Sequence, residues 1–122
     1  IRKRKTDKID AAQLAFLATL PPKFERIYRQ IEEIATLKAD DMVQRGLTRN
    51  LDVLKNEASS LTLTGLADVF GVMANVARRG GGVQMKVRGL REGMISLKVN
   101  YEGALRSASM GERTPGDQPG ET

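Results

Sequence analysis

The sequence predicts an all-α protein, an antiparallel bundle of four to five helices. Apolar residues recur at spacings of three and four along most of the 122-residue chain, as they do on one face of a helix. The apolar residues are mainly aliphatic, with three Phe, two Tyr and no Trp, which suits interdigitated helices. Pro and Gly clusters separate the periodic stretches, and the length is near that of a single domain.

The first two predicted helices meet at Pro21-Pro22. The first begins near Thr6 or Asp7, either of which can cap a helix. Proline is accepted in the first turn of a helix, so we expect the second helix to begin near Lys23 and to end at Gly46. The apolar stripe of this second helix contains Phe24, Ile27, Tyr28, Ile31, Ile34, Ala35, Met42 and Val43.

Two shorter helices are predicted next. Thr48 can cap a third helix that runs to Leu61, and its apolar residues again lie four and three apart. A fourth helix fits residues 65–79, because six apolar residues share one of its faces. The run of three glycines at 80–82 is expected to end it.

The stretch 83–101 fits two structures. Apolar and polar residues alternate over 95–101 and again over 83–87, which indicates a β-hairpin and an alternative α+β fold, a helical bundle with a C-terminal hairpin. The same stretch carries apolar residues four and three apart, which indicates a helix, although three internal glycines would cost about 1 kcal/mol each. An isolated hairpin is marginally stable and everything upstream is helical, so we favour the helix.

The two ends of the chain differ in composition from the middle. Residues 1–5 hold four basic residues without apolar periodicity, and we expect a flexible basic arm there. Residues 107–122 are rich in Gly, Pro and acids, so we expect a disordered acidic tail after a single helical domain at 6–106. Because the chain begins at Ile1 rather than Met, we expect it to be processed or cut from a longer protein.

The composition excludes several kinds of chemistry. The chain has no Cys and no His, which removes thiolate and imidazole metal ligands and the Ser-His and Cys-His arrangements of hydrolases. No apolar run reaches the roughly 20 residues of a membrane span. We therefore expect a soluble, non-catalytic protein without cofactor, metal or membrane partner. A reducing intracellular compartment is permitted by the absence of Cys.

Elimination of catalytic residue types leaves an interaction or assembly module as the leading hypothesis. The seam of the last predicted helix could join the bundle of a protein partner or of a second copy, as amphipathic helices do in grooves. The predicted partner-binding residues are Val87, Leu90, Met94, Leu97 and Tyr101.

Nucleic-acid binding through the phosphate backbone is the alternative, because positive charge is unevenly distributed. Residues 78–106 hold seven bases against two acids, while residues 9–77 hold seven bases against nine acids. Lys and Arg contacts to phosphates dominate non-specific affinity for nucleic acid. The predicted nucleic-acid-binding residues are Arg2, Lys3, Arg4, Lys5, Arg78, Arg79, Lys86, Arg88 and Arg91.

Overall fold

The structure is a computed structural model that describes residues 4–36, 41–79 and 82–111. These residues contain no strand, and the prediction of an all-α bundle is confirmed. The stretch 83–101 lies wholly inside the last helix, so the β-hairpin alternative is wrong. The helices are α1 (Arg4–Ala18), α2 (Leu20–Ala35), α3 (Asp41–Ser60), α4 (Thr64–Arg78) and α5 (Val83–Gly111).

Helices α2 to α5 form an antiparallel bundle in which α5 lies between α2 and α4. Near its start, α2 packs Phe24 on Tyr101 of α5, and towards its end Glu32 reaches back to Arg91. The two helices therefore run in opposite directions. Across the bundle, Asp52 of α3 forms an ion pair with the last residue of α4, so this pair is antiparallel as well.

Helix α1 packs on the end of the bundle where α3 turns into α4. The Nε2 of Gln13 donates hydrogen bonds to the carbonyl oxygen of Leu61, at 2.7 Å, and to the hydroxyl of Thr62, at 3.2 Å. Thr62 has a φ of 59°, in the left-handed region, and forms the tight turn between α3 and α4. Leu17 of α1 is fully buried, so α1 contributes to the core.

The core contains aliphatic side chains from all five helices around Phe70, the largest fully buried side chain. Of the apolar stripe predicted for the second helix, Ile27, Ile31 and Ile34 are buried, whereas Tyr28 and Met42 are exposed. Fully buried large side chains are Leu17, Leu20, Ile27, Ile31, Leu47, Leu51, Leu66, Phe70, Met73, Leu90 and Leu97.

The second helix ends well before Gly46, so the prediction that Gly46 ends it was wrong. Helix α2 ends at Ala35, and the backbone N–H of Thr36 donates to the carbonyl oxygen of Glu32 at 3.0 Å. Helix α3 begins at Asp41, an acidic residue type that the helix dipole favours in a first turn. Gly46 is an interior residue of α3.

Thr48 is also interior to α3 and does not cap it. Its hydroxyl donates to the carbonyl oxygen of Gln44, at 2.9 Å, which is how threonine satisfies its hydroxyl inside a helix. The two prolines lie in the first turn of α2, which begins at Leu20 rather than Lys23, because proline fits the first helical positions.

Two helices extend into segments that were expected to lie outside the domain. Helix α1 begins at Arg4, inside the predicted arm, and α5 ends at Gly111, beyond the predicted domain end at residue 106. Ala108, in the predicted tail, is buried in the core cluster. The rest of the predicted arm, at 1–3, and of the predicted tail, at 112–122, lies outside the described residues.

Candidate binding surfaces

The seam predicted to bind a partner lies largely inside the bundle. Val87, Leu90 and Leu97 are buried, and all three belong to the core. Met94 and Tyr101 are half-buried and pack against that core. The heptad-like spacing of α5 is accounted for by packing within its own bundle, and of the five seam residues only Met94 and Tyr101 reach the surface.

An apolar groove of about 530 Å³ lies between α2 and α5 on the surface. We call this the α2–α5 groove. Its floor is apolar and aromatic, and its charged residues are two glutamates and one lysine. The lining residues are Pro21, Phe24, Glu25 and Tyr28 from α2, and Met94, Ile95, Lys98, Tyr101 and Glu102 from α5.

The rings of Phe24 and Tyr101 form the floor of the α2–α5 groove. Their centroids are 5.5 Å apart and their planes meet at 83°, the edge-to-face arrangement that aromatic pairs prefer. Beside them Tyr28 is 49 % exposed and Ile95 is 67 % exposed. The two exposed side chains and the two half-buried rings thus line the same groove.

Three of these groove residues were missed as partner-binding candidates: Phe24, Tyr28 and Ile95. In a helix at 83–105, Ile95 lies off the seam of the buried residues, and this departure was the available signal in the sequence. An apolar residue outside the buried stripe of a helix belongs to a different surface.

Three of the predicted basic residues have ion-pair or hydrogen-bond partners within the chain. Arg91 makes a bidentate contact with Glu32, with its nearest N–O distance 2.9 Å, and Arg78 lies 2.6 Å from a carboxylate oxygen of Asp52. The Nζ of Lys86 donates to the side-chain oxygen of Gln44 at 2.8 Å.

Among the remaining predicted cations, Arg88 lies 3.9 Å from Glu92 on the same helix, and Arg79 is exposed just beyond the end of α4. Arg2 and Lys3 lie outside the described residues, as do the side chains of Arg4 and Lys5.

A second groove, of about 490 Å³, lies between α3 and the end of α4. We call it the basic groove, since three of its lining side chains are guanidiniums and one is a carboxylate. Arg45 and Arg49 are not among the predicted nucleic-acid-binding residues, because segment 9–77 is acidic overall. The lining residues are Gln44, Arg45, Thr48, Arg49, Asp52, Val53, Asn56, Ala77 and Arg78.

Two features of the described residues bear on metal and membrane binding. No three Asp or Glu side chains there come close enough together to hold a metal ion. None of the described helices is both long enough and apolar enough to cross a lipid bilayer.

Comparison with known proteins returned nothing: no protein-family model, no curated protein and no solved structure matches the chain. The geometry of its own surfaces is therefore the basis for a functional proposal.

Proposed function

We propose that the chain is a non-catalytic module that binds another protein, and that the α2–α5 groove is its contact surface. The observation that carries the proposal is the exposed apolar surface formed by Tyr28 and Ile95 over the Phe24–Tyr101 pair. Aromatic residues in partly buried pockets are the side chains that most often dominate binding energy at protein interfaces.

Tyr28 and Ile95 do not belong to the core of the bundle. Its core is filled by buried residues from all five helices, so covering the groove adds apolar burial that folding has not already used. Each Å² of apolar surface removed from water contributes about 25 cal/mol before the costs of association. A partner that covers Ile95 and Tyr28 therefore gains affinity without rearranging the core.

The shape of the groove suits an amphipathic helix of the partner. The groove residues of α2, 21–28, span two turns, roughly 12 Å at 1.5 Å per residue. A helix lying there would bring an apolar residue every three or four positions over the floor. Glu25 and Glu102 outnumber Lys98 among the charged lining residues, so basic residues beside that apolar stripe would complement them.

Site-specific photo-crosslinking in the native source tests this proposal. A photoreactive side chain in place of Ile95 is expected to give a discrete adduct with a second protein. The matched control is the same substitution at Val72, which is 61 % exposed on α4 and does not line the groove. Tyr28→Lys, introduced together with the probe at position 95, is expected to abolish the adduct without changing helicity, because it places a charge in the apolar contact.

The results that would contradict the proposal are specific. Equal adducts from positions 95 and 72, or an adduct at 95 that survives Tyr28→Lys, would show that the groove is not the contact. An adduct only with a second copy of the chain would replace the heterologous partner with self-association.

The nucleic-acid alternative has less support. Arg91 is engaged by a carboxylate of the same chain, which reduces the charge that it offers to phosphates. We expect no binding of random duplex DNA below tens of micromolar. Micromolar affinity that falls steeply between about 50 and 200 mM salt would instead favour this alternative.

A further inference from the structure

The basic groove concentrates positive charge at the junction of α3 and α4. Arg45 and Arg49 lie one turn apart on α3, and Arg78 approaches from the last turn of α4. The single carboxylate that lines the groove is Asp52. With three guanidiniums against one carboxylate, the lining has a net charge of +2.

Arg78 is held in place by two acceptors. Its Nη2 lies 2.6 Å from an oxygen of Asp52, and its Nη1 donates to the side-chain oxygen of Asn75 at 2.8 Å. The side chain is nevertheless 47 % exposed, so part of the guanidinium still faces solvent. A planar cation that is already oriented loses less entropy when an anion binds it.

Arg45 and Arg49 have no ion pair or hydrogen-bond acceptor among the residues at 4–36, 41–79 and 82–111. Like charges four residues apart on a helix repel each other, and Arg78 adds a third charge nearby. An anion between these side chains would relieve the repulsion.

The rest of the lining also favours an oxyanion. Gln44 and Asn56 supply side-chain amides, and Val53 and Ala77 are the apolar lining residues. A polar depression on α2 provides the contrast, because there Arg26 and Arg29 are balanced by two glutamates. Of these two depressions, only the basic groove has positive charge that is not balanced by carboxylates.

We propose that the basic groove binds a phosphate group. Guanidinium groups match the oxygens of phosphate in bidentate geometry, and several of them around one site favour a multiply charged, compact anion. The phosphate could belong to a small molecule or to a phosphorylated side chain of a protein. Duplex nucleic acid fits less well, because the guanidiniums gather at one groove rather than along an extended track.

NMR titration of the full chain with inorganic pyrophosphate, at constant ionic strength, tests the proposal. We expect saturable shifts of the Arg49 and Arg78 side-chain N–H signals in the millimolar range. Arg49→Gln is expected to weaken binding by about tenfold, because it removes one charged contact. Arg29→Gln, the matched control on α2, is expected to leave binding within about twofold of the original. Circular dichroism of each variant checks that the helices are retained.

Two further titrations distinguish the sources of the phosphate. If a phosphoserine peptide binds more tightly than pyrophosphate and its unphosphorylated form does not bind, the groove is assigned to phosphorylated proteins. If pyrophosphate binds more tightly than the phosphoserine peptide, the groove is assigned to small molecules. The proposal is overturned if pyrophosphate gives no saturable shift up to about 20 mM. It is also overturned if Arg29→Gln weakens binding as much as Arg49→Gln, or if duplex DNA binds most tightly and both variants weaken it equally.

Discussion

The two sides of α5 are built in opposite ways. On the side that faces α4, glycines let the neighbouring side chains come close: an ideal Cβ on Gly89 would lie 3.2 Å from Cγ1 of Val76, and one on Gly93 would lie 2.8 Å from the sulfur of Met73. On the side that faces α2, the Phe24–Tyr101 pair lines the open α2–α5 groove. One helix therefore carries a closed, stabilising contact on one side and an accessible apolar surface on the other.

The difference explains why a helix tolerates several internal glycines. Each glycine lowers helix propensity by about 1 kcal/mol relative to alanine. At Gly93 this cost is offset by close packing against the fully buried Met73, whereas Gly103 has no side chain within 4 Å of its ideal Cβ. The glycines of α5 therefore do not share one role.

The largest expected effect comes from placing a charge on each kind of surface. Leu97→Asp buries an unpaired carboxylate at a fully buried position and should cost several kcal/mol, enough to unfold the chain. Ile95→Asp, two residues away but 67 % exposed, should cost under about 1 kcal/mol. Urea denaturation followed by circular dichroism measures both. Similar losses from the two variants would show that Ile95 belongs to the core.

A smaller effect separates the glycines. Gly93→Ala should lower the free energy of unfolding by about 1 to 2 kcal/mol, because overpacking against Met73 exceeds the gain in helix propensity. Gly103→Ala should raise it by up to about 1 kcal/mol, since its added methyl group meets open space. Thermal unfolding of the two variants measures both changes in stability. If both variants were stabilised, the close contact between α4 and α5 would have to be looser than described.

The smallest effect is expected at the ion pair that joins α2 and α5 at the surface. Arg91→Gln should cost at most about 1 kcal/mol, because both side chains are partly exposed and solvent screens their attraction. The loss should shrink as salt is raised from about 0.05 to 1 M. Glu32→Gln is the reciprocal control and should behave in the same way. A larger, salt-independent loss would mean that this contact stabilises the α2–α5 packing by more than charge.

Apolar periodicity predicted four to five helices, but at 83–101 it fitted both a hairpin and a helix, and the helix was favoured because an isolated hairpin is marginally stable and everything upstream is helical. It could not locate the end of α2, because Ala35 and Met42 of the predicted stripe keep a helical spacing of seven residues although they lie on two separate helices. Gly46, the expected stop, is accommodated inside α3, where its ideal Cβ would lie 3.7 Å from the side chain of Gln30 on α2. Local residue preferences alone do not reveal such contacts between helices.

The candidate surfaces were less predictable than the helices. The α2–α5 groove depends on Phe24 and Tyr101 meeting across the bundle, and the basic groove depends on Arg49 and Arg78 meeting across α3 and α4. In both grooves, the side chains are brought together by the tertiary packing of two helices. Spacing within one helix predicts which residues share a face, but not which faces of two helices border one groove.

The most direct test of the proposed binding surface uses the absence of cysteine from the chain. Single variants Ile95→Cys and Val72→Cys place a thiol in the α2–α5 groove and on the exposed face of α4, respectively. Both thiols should react rapidly with a water-soluble maleimide in the purified protein. In the native cell extract, we predict that the thiol at 95 becomes protected by about tenfold or more while the thiol at 72 stays reactive. Equal reactivity at 95 with and without the extract, or protection at 72 alone, would contradict the assignment of the groove as the contact surface.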